Sequence, residues 1–282
     1  NKYLAWRNKI NFEKMIKLTS EWYLNYKNKK KFLKLQKNKL VNLKMKKISI
    51  NFFLYSIIFA NIVYFLIGFI YQHDFSNGGR IDFDHIYNNF LLFKGSSILN
   101  IDWARYESSS LPLHYIIIKY LIPLDNIFVF KLYTFLISLL CIIPLYLILK
   151  IRAQITSFNL NLLFLSSIIL ISSSFRTDAF FGLEENIGYL IFFITFCLFF
   201  YYSKKQNKYL LVLLIFFSSL IFYTRQFYAF VPIIVYFTII DKKKIFSNKN
   251  IIITLLFTIF LLPSIYFFYS WESLVPNAAS DR

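Results

Sequence analysis

Long apolar runs recur from Ile48 to Tyr269, separated by short polar breaks. The runs are continuous and do not alternate, which predicts membrane-spanning helices and argues against a β-barrel. Spans are expected at residues 48–71, 126–149, 160–174, 187–202 and 251–269, with a kink at Pro144 in the second. The run 209–240 is broken by Thr224-Arg225-Gln226, so it reads as a hairpin of two short helices with Arg225 at its tip. The expected fold is all-α, a polytopic membrane helical bundle of about seven spans.

A polar segment from Gln72 to Leu111 follows the first run. Within it, residues 84–93 carry Ile86, Phe90, Leu91 and Phe93 in an amphipathic pattern. Residues 111–124 are too short to cross and are bracketed by Pro112 and Pro123. Both stretches predict helices that lie at the interface or re-enter it. A second polar loop is expected at residues 176–186.

The net charge of +18 reads as topology. Residues 1–47, 150–159, 203–208 and 241–250 hold 24 of the 32 Lys and Arg, which places them in the cytoplasm by the positive-inside rule. The opposite side receives 11 of the 14 acids. Acids do not set topology, so this carboxylate-rich, non-cytoplasmic face marks a working surface. AT-rich codon usage is an alternative source of part of the lysine excess. No nucleic-acid partner is expected.

Residues 1–47 form a basic cytoplasmic segment, read either as an amphipathic helix on an anionic leaflet or as a solvated helix. Residues 48–282 form the transmembrane module. The chain starts on Asn and stops in a polar segment after a membrane run, so a fragment is expected at one or both ends. Cys141 and Cys197 lie in apolar runs with neither metal-ligand nor redox spacing. An integral, multi-pass protein of a bacterial inner membrane is expected, with its N-terminus in the cytoplasm and the first long loop outside.

Ionisable groups at membrane depth are functional candidates. Asp84, where the outer loop enters its amphipathic helix, can act as a general base on an acceptor hydroxyl. Asp82 and His85 beside it can bind substrate or help hold a divalent cation, magnesium or manganese. The alternative for Asp82 and Asp84 is helix capping. Arg105, Arg176 and Arg225 come from three outer segments, and an arginine fork suits a phosphate. Surface ion pairs with Glu107, Asp178 or Glu185 are the alternative. Asp178, Glu185 and His114 complete the candidate substrate-binding set, although acids at 184 and 185 also suit a helix N-terminus. The three histidines match no metal motif, and no metal site is assigned.

These features resemble the GT-C superfamily of membrane glycosyltransferases. Asp84-His85-Ile86-Tyr87 looks like the family's acidic motif after the first span, with His85 where many relatives carry Glu. Ser110-Leu111-Pro112-Leu113-His114-Tyr115 is similar to the start of its second interfacial helix. Arg176-Thr177-Asp178 and Thr224-Arg225-Gln226 resemble outer-loop pieces of the enzyme that adds a terminal glucose to dolichol-linked oligosaccharide. The resemblance covers roughly residues 48–276. It implies an inverting hexosyl transfer from a polyprenyl-phosphate-linked sugar to a glycan, lipid or protein hydroxyl, with Asp84 as the base and the arginines on the leaving phosphate. Two other functions fit the composition: a transporter or flippase of a lipid-linked or anionic substrate, and a non-catalytic membrane assembly subunit. A transporter predicts internal repeats and mid-membrane polar groups. No repeat is evident, and the acids cluster on one face.

Overall fold

The computed structural model describes residues 13, 16, 17, 20, 50–71, 79–121, 127–244, 246–274 and 276. The chain divides into two compact units, Asn1–Ile50 and Asn51–Arg282. In the first, Glu13, Ile16, Lys17 and Ser20 are helical and exposed. The rest of the basic N-terminal segment lies outside the described residues.

The second unit is helical, with no strand among the described residues. Its first helix, α1 (Ile50–Tyr71), has 22 residues. At about 1.5 Å per residue that suffices to cross a hydrocarbon layer of about 30 Å. Helices α2 (Gly79–Gly95) and α3 (Leu113–Leu121) follow, joined by two 3-10 turns. Next come α4 (Ile127–Leu140) and α5 (Ile142–Arg152), one span interrupted at Cys141. The break fits Pro144, whose missing N–H leaves the Leu140 carbonyl without its helical donor.

Helix α6 (Leu160–Ser167) runs through a 3-10 turn into α7 (Ser173–Phe181). Helices α8 (Glu185–Lys205), α9 (Lys208–Leu220) and α10 (Phe230–Ile239) form the next three legs. The tip of the α9–α10 hairpin holds Arg225, as the polar break predicted. Helices α11 (Asn248–Leu261) and α12 (Pro263–Trp271) close the bundle.

Four stretches are long and apolar enough to cross a membrane: Asn51–Tyr71, Phe128–Arg152, Glu185–Lys205 and Asn248–Trp271. A fifth is the pair Leu160–Ile171 and Ser173–Phe181, if its 68° bend is taken within one span. The hairpin legs Lys208–Tyr223 and Gln226–Ile239 are apolar but shorter. The pattern is consistent with an integral membrane protein of four to five candidate spans. The expected count of about seven included both hairpin legs, which are too short to qualify by length, and the span at 160–174, which is bent at Ser172. Phe52, Phe53, Phe59, Ile70, Phe128, Ile234 and Ile252 are exposed. That apolar exterior would be a liability in water and is ordinary in lipid.

Helix α1 packs through aromatic rings. Phe65 and Phe69 stack on Phe135 of α4 at 5.0 and 4.5 Å. Phe180 of α7 lies 5.2 Å from Phe65. Gly68 makes the close approach possible, because a Cβ there would stand 2.5 Å from the Phe180 ring and 2.6 Å from Arg176 Nη2. The expected open loop at 176–186 is different in the structure. Phe175, Ala179, Phe180 and Phe181 interleave with Arg176, Thr177 and Asp178, and this makes α7 a short buried helix. Gly182 ends it at φ +78°, with its site for a Cβ pressed 2.5 Å from Phe130. The turn delivers Glu184 and Glu185 to the start of α8.

Candidate functional site

A cleft of about 160 Å³ opens where four segments meet, lined by His85, Ile86, Asn89, Glu107, Ser108, Ser109, Leu183, Glu184, Glu185 and Arg225. Helix α2 brings His85 and Asn89 one turn apart on one face. The loop before α3 brings Glu107 and Ser108, the start of α8 brings the two glutamates, and the hairpin tip brings Arg225.

Buried hydrogen bonds fix that loop. Asn89 is 1% exposed. Its Oδ1 accepts from the Glu107 backbone N–H at 2.8 Å, and its Nδ2 donates to Tyr115 Oη at 3.3 Å. Tyr106 Oη donates to the Ser110 carbonyl at 2.8 Å, and the Ser110 N–H donates to Ser108 Oγ at 3.1 Å. Burial and then the nearby Glu184 charge hold both the Tyr106 and Tyr115 phenols well above their ordinary range, so both stay neutral. Trp103, packed edge-on against Phe267 and Trp271 at 5.6 and 6.1 Å, ties the loop to α12. Gln226 Nε2 donates to the Leu274 carbonyl at 2.6 Å and fastens the hairpin tip to the chain after α12.

The charges pair across elements. His85 Nδ1 lies 2.6 Å from Glu107 Oε2, with both side chains part-exposed. Arg225 Nη2 donates to Glu185 Oε1 and lies 3.6 Å from Glu184 Oε1. Ser108 Oγ donates to Glu184 Oε1 at 3.0 Å. A larger cavity of about 540 Å³ adjoins, lined by Asn88, Leu91, Leu92, Gly95, Ser96, Ala104, Arg105 and Glu107. Glu107 belongs to both walls.

Of the residues singled out from the sequence, His85, Glu185 and Arg225 meet in the smaller cleft, and Arg105 lines the larger cavity. Asp84 is exposed on α2 and lines neither. Asp82 is on the same helix, with its side chain outside the described residues. Arg176 and Asp178 are buried in α7, where the guanidinium lies 3.9 Å over the Tyr64 ring. His114 is buried among Tyr115, Phe130 and Tyr133.

The phosphate clamp of three arginines is therefore not assembled as expected: Arg225 is engaged by two carboxylates and Arg176 by aromatic rings. Glu107, Ser108 and Asn89 line the cleft and were not among the candidates; Glu184, balanced between a binding role and a helix N-terminus, lines it too. Among the described residues, no three His, Cys, Asp or Glu side chains gather as a metal-ligand group. No protein-family model matches the chain, and neither does a curated protein or a solved structure.

Proposed function

We propose that the protein is a membrane glycosyltransferase that moves a sugar from a polyprenyl-phosphate donor to an acceptor hydroxyl on the non-cytoplasmic face. The observation that carries this reading is the position of Glu107. It is paired with His85 and stands between a small polar cleft and a larger cavity bordered by Arg105. Such an arrangement suits an acceptor on one side and an anionic leaving group on the other.

The charge pattern of α8 supports an orientation. Its N-terminal end carries Glu185 at the cleft, and its C-terminal end carries Lys204 and Lys205. These ends lie about 30 Å apart at 1.5 Å per residue. Lys150 and Arg152 end α5, and Lys208 starts α9. With these basic ends cytoplasmic, the cleft faces outward. Counting the bent pair and both hairpin legs as crossings gives seven spans, with α2 and α3 at the outer interface.

In the reaction, the acceptor oxygen attacks the anomeric carbon from the face opposite the phosphate. Its proton passes to the His85–Glu107 pair. The bond from the anomeric carbon to the phosphate oxygen breaks, and its electron pair leaves with the lipid phosphate. Arg105 stabilises that departing charge. Holding acceptor and donor in line supplies much of the rate. Asp84 stands one residue before His85 and outside the lining, so the base role passes to the pair.

The test is transfer from a radiolabelled polyprenyl-phosphate hexose by the protein in proteoliposomes. Release of lipid phosphate coupled to glycan, lipid or protein labelling, and its loss in Glu107→Gln, is the expected result. Equal labelling by the wild type and that variant, or labelling that needs no protein, would overturn the reading.

A further inference from the structure

Two carboxylate oxygens at the cleft have no donor. Glu184 is 3% exposed, and its Oε2 is buried without a hydrogen-bond partner. Glu185 Oε2 is also buried and unpartnered. An ionised carboxylate only accepts hydrogen bonds, and a buried acceptor without a donor is destabilising. Both residues line the cleft.

The charge count gives the sign of what is missing. Glu107 pairs with His85 and stands outside the count. Glu184 and Glu185 share the single guanidinium of Arg225. Two carboxylates on one guanidinium leave that trio with a net negative charge. A second anion, such as a phosphate, would meet repulsion there. A neutral sugar hydroxyl would supply a donor and leave the charge uncompensated. A primary ammonium supplies three donors and one positive charge on a compact head, which meets both deficits.

We infer that the cleft beside Glu184 and Glu185 binds a primary ammonium group carried by the molecule that enters it. The cleft holds roughly ten water-sized volumes at 10–15 Å³ each. That suits a monosaccharide unit or a small aminoalkyl headgroup. Taken with the transferase reading, on which this step rests, the ammonium marks an amino sugar or an aminoalkyl lipid headgroup as the acceptor class. The ammonium is held by Glu184 and Glu185, and a neighbouring hydroxyl is turned toward Glu107.

The experiment measures binding to the full chain in lipid nanodiscs, by calorimetry and by thermal shift. The probes are glucosamine, ethanolamine, glucose, N-acetylglucosamine and magnesium ion alone. Glucosamine or ethanolamine should bind and raise the unfolding temperature, while glucose and N-acetylglucosamine do neither. Tighter binding of glucosamine assigns the ammonium to a sugar; tighter or equal binding of ethanolamine assigns it to a headgroup. Glu184→Gln keeps the Ser108 hydrogen bond and should weaken binding about tenfold or more. Glu185→Gln, at a part-exposed position, is the second variant should the first fail to fold.

Equal binding of glucose and glucosamine overturns the inference. So does binding of neither amine, or amine binding unchanged in both variants. Stabilisation by magnesium that is lost in the same variants also overturns it, in favour of a cation site. Binding is read without sugar transfer. Amine binding without transfer therefore defeats only the transferase reading, and transfer without amine binding defeats only this inference.

Discussion

His85 Nδ1 and Glu107 Oε2 approach to 2.6 Å although 22 residues separate them. Asn89, one turn after His85 on α2, brings them together by accepting the backbone N–H of Glu107 itself. The helix thus fixes both the imidazole and the carboxylate that orients it.

The first prediction follows from this pair. If it takes the acceptor proton, Glu107→Gln and His85→Gln should each lower the transfer rate by about 10²- to 10⁴-fold. The double variant should lose little more than either single one, because the two residues act as a unit. Asp84→Asn should retain most activity. The transfer assay in proteoliposomes checks all four, and a larger loss from Asp84→Asn than from Glu107→Gln would return the base role to Asp84.

Asn89→Ala should destabilise the protein by about 1–3 kcal/mol, since it removes the buried Asn89 amide and leaves the Glu107 N–H and the Tyr115 hydroxyl without that partner. Asn89→Asp keeps the acceptor and loses the donor to Tyr115, and it brings a charge beside neutral buried phenols. It should be at least as damaging. Unfolding in mild detergent, followed by tryptophan emission, reads the effect, with Trp103 and Trp271 packed at this loop.

The sequence made the helices legible wherever apolar runs were long. The first span follows from its apolar run, the hairpin from the polar break at 224–226, and the outer-loop helices from the amphipathic pattern of 84–93 and the short proline-bracketed run 111–124. Residues 176–181 did not, because Arg176 and Asp178 looked like loop residues. Their neighbours Phe175, Ala179 and Phe180 bury the turn, and Gly68 on a distant helix makes room for it. The site was half legible. His85, Glu185 and Arg225 stood out as charges beside apolar runs. Glu107 was visible only as a pairing acid, and Glu184 was balanced between a binding role and a helix N-terminus, since the partners that give them meaning come from other segments. Asn89 looked like one polar residue of an amphipathic helix. A signal was present in its spacing from His85, which places both on one face.

Gly188 carries a further prediction. It lies on α8 one turn after Glu184, and a Cβ there would stand 3.2 Å from both Thr224 Oγ1 and the Tyr228 ring. Gly188→Ala should push the hairpin tip outward and loosen Arg225 from Glu184 and Glu185. Gly182→Ala is harsher, because φ +78° and the Phe130 ring both oppose a side chain. The first variant should fold and lose transfer activity more than stability; the second should lose stability outright. Parallel unfolding and activity measurements separate the two outcomes.

His114 gives the last prediction. Neither ring nitrogen has a hydrogen-bond partner, and burial lowers its pKa from the ordinary 6.5 to about 3. Above about pH 6.5 the imidazole is neutral whether the chain is folded or unfolded, so its full contribution to stability is present. As the pH falls from 6.5 toward 3, the unfolded chain takes up a proton that the folded one refuses. Stability is then lost progressively, at a limiting slope of about 1.4 kcal/mol per pH unit. Other groups also take up protons in acid, so the measurement that isolates His114 is the difference between wild type and His114→Phe. The variant replaces an unpartnered polar ring with an apolar one against Phe130 and Tyr115. It should be no less stable at pH 7.5 and progressively more stable than wild type below pH 6. Parallel stability curves for the two proteins between pH 7 and pH 4 would show that His114 does not stay neutral in the folded chain.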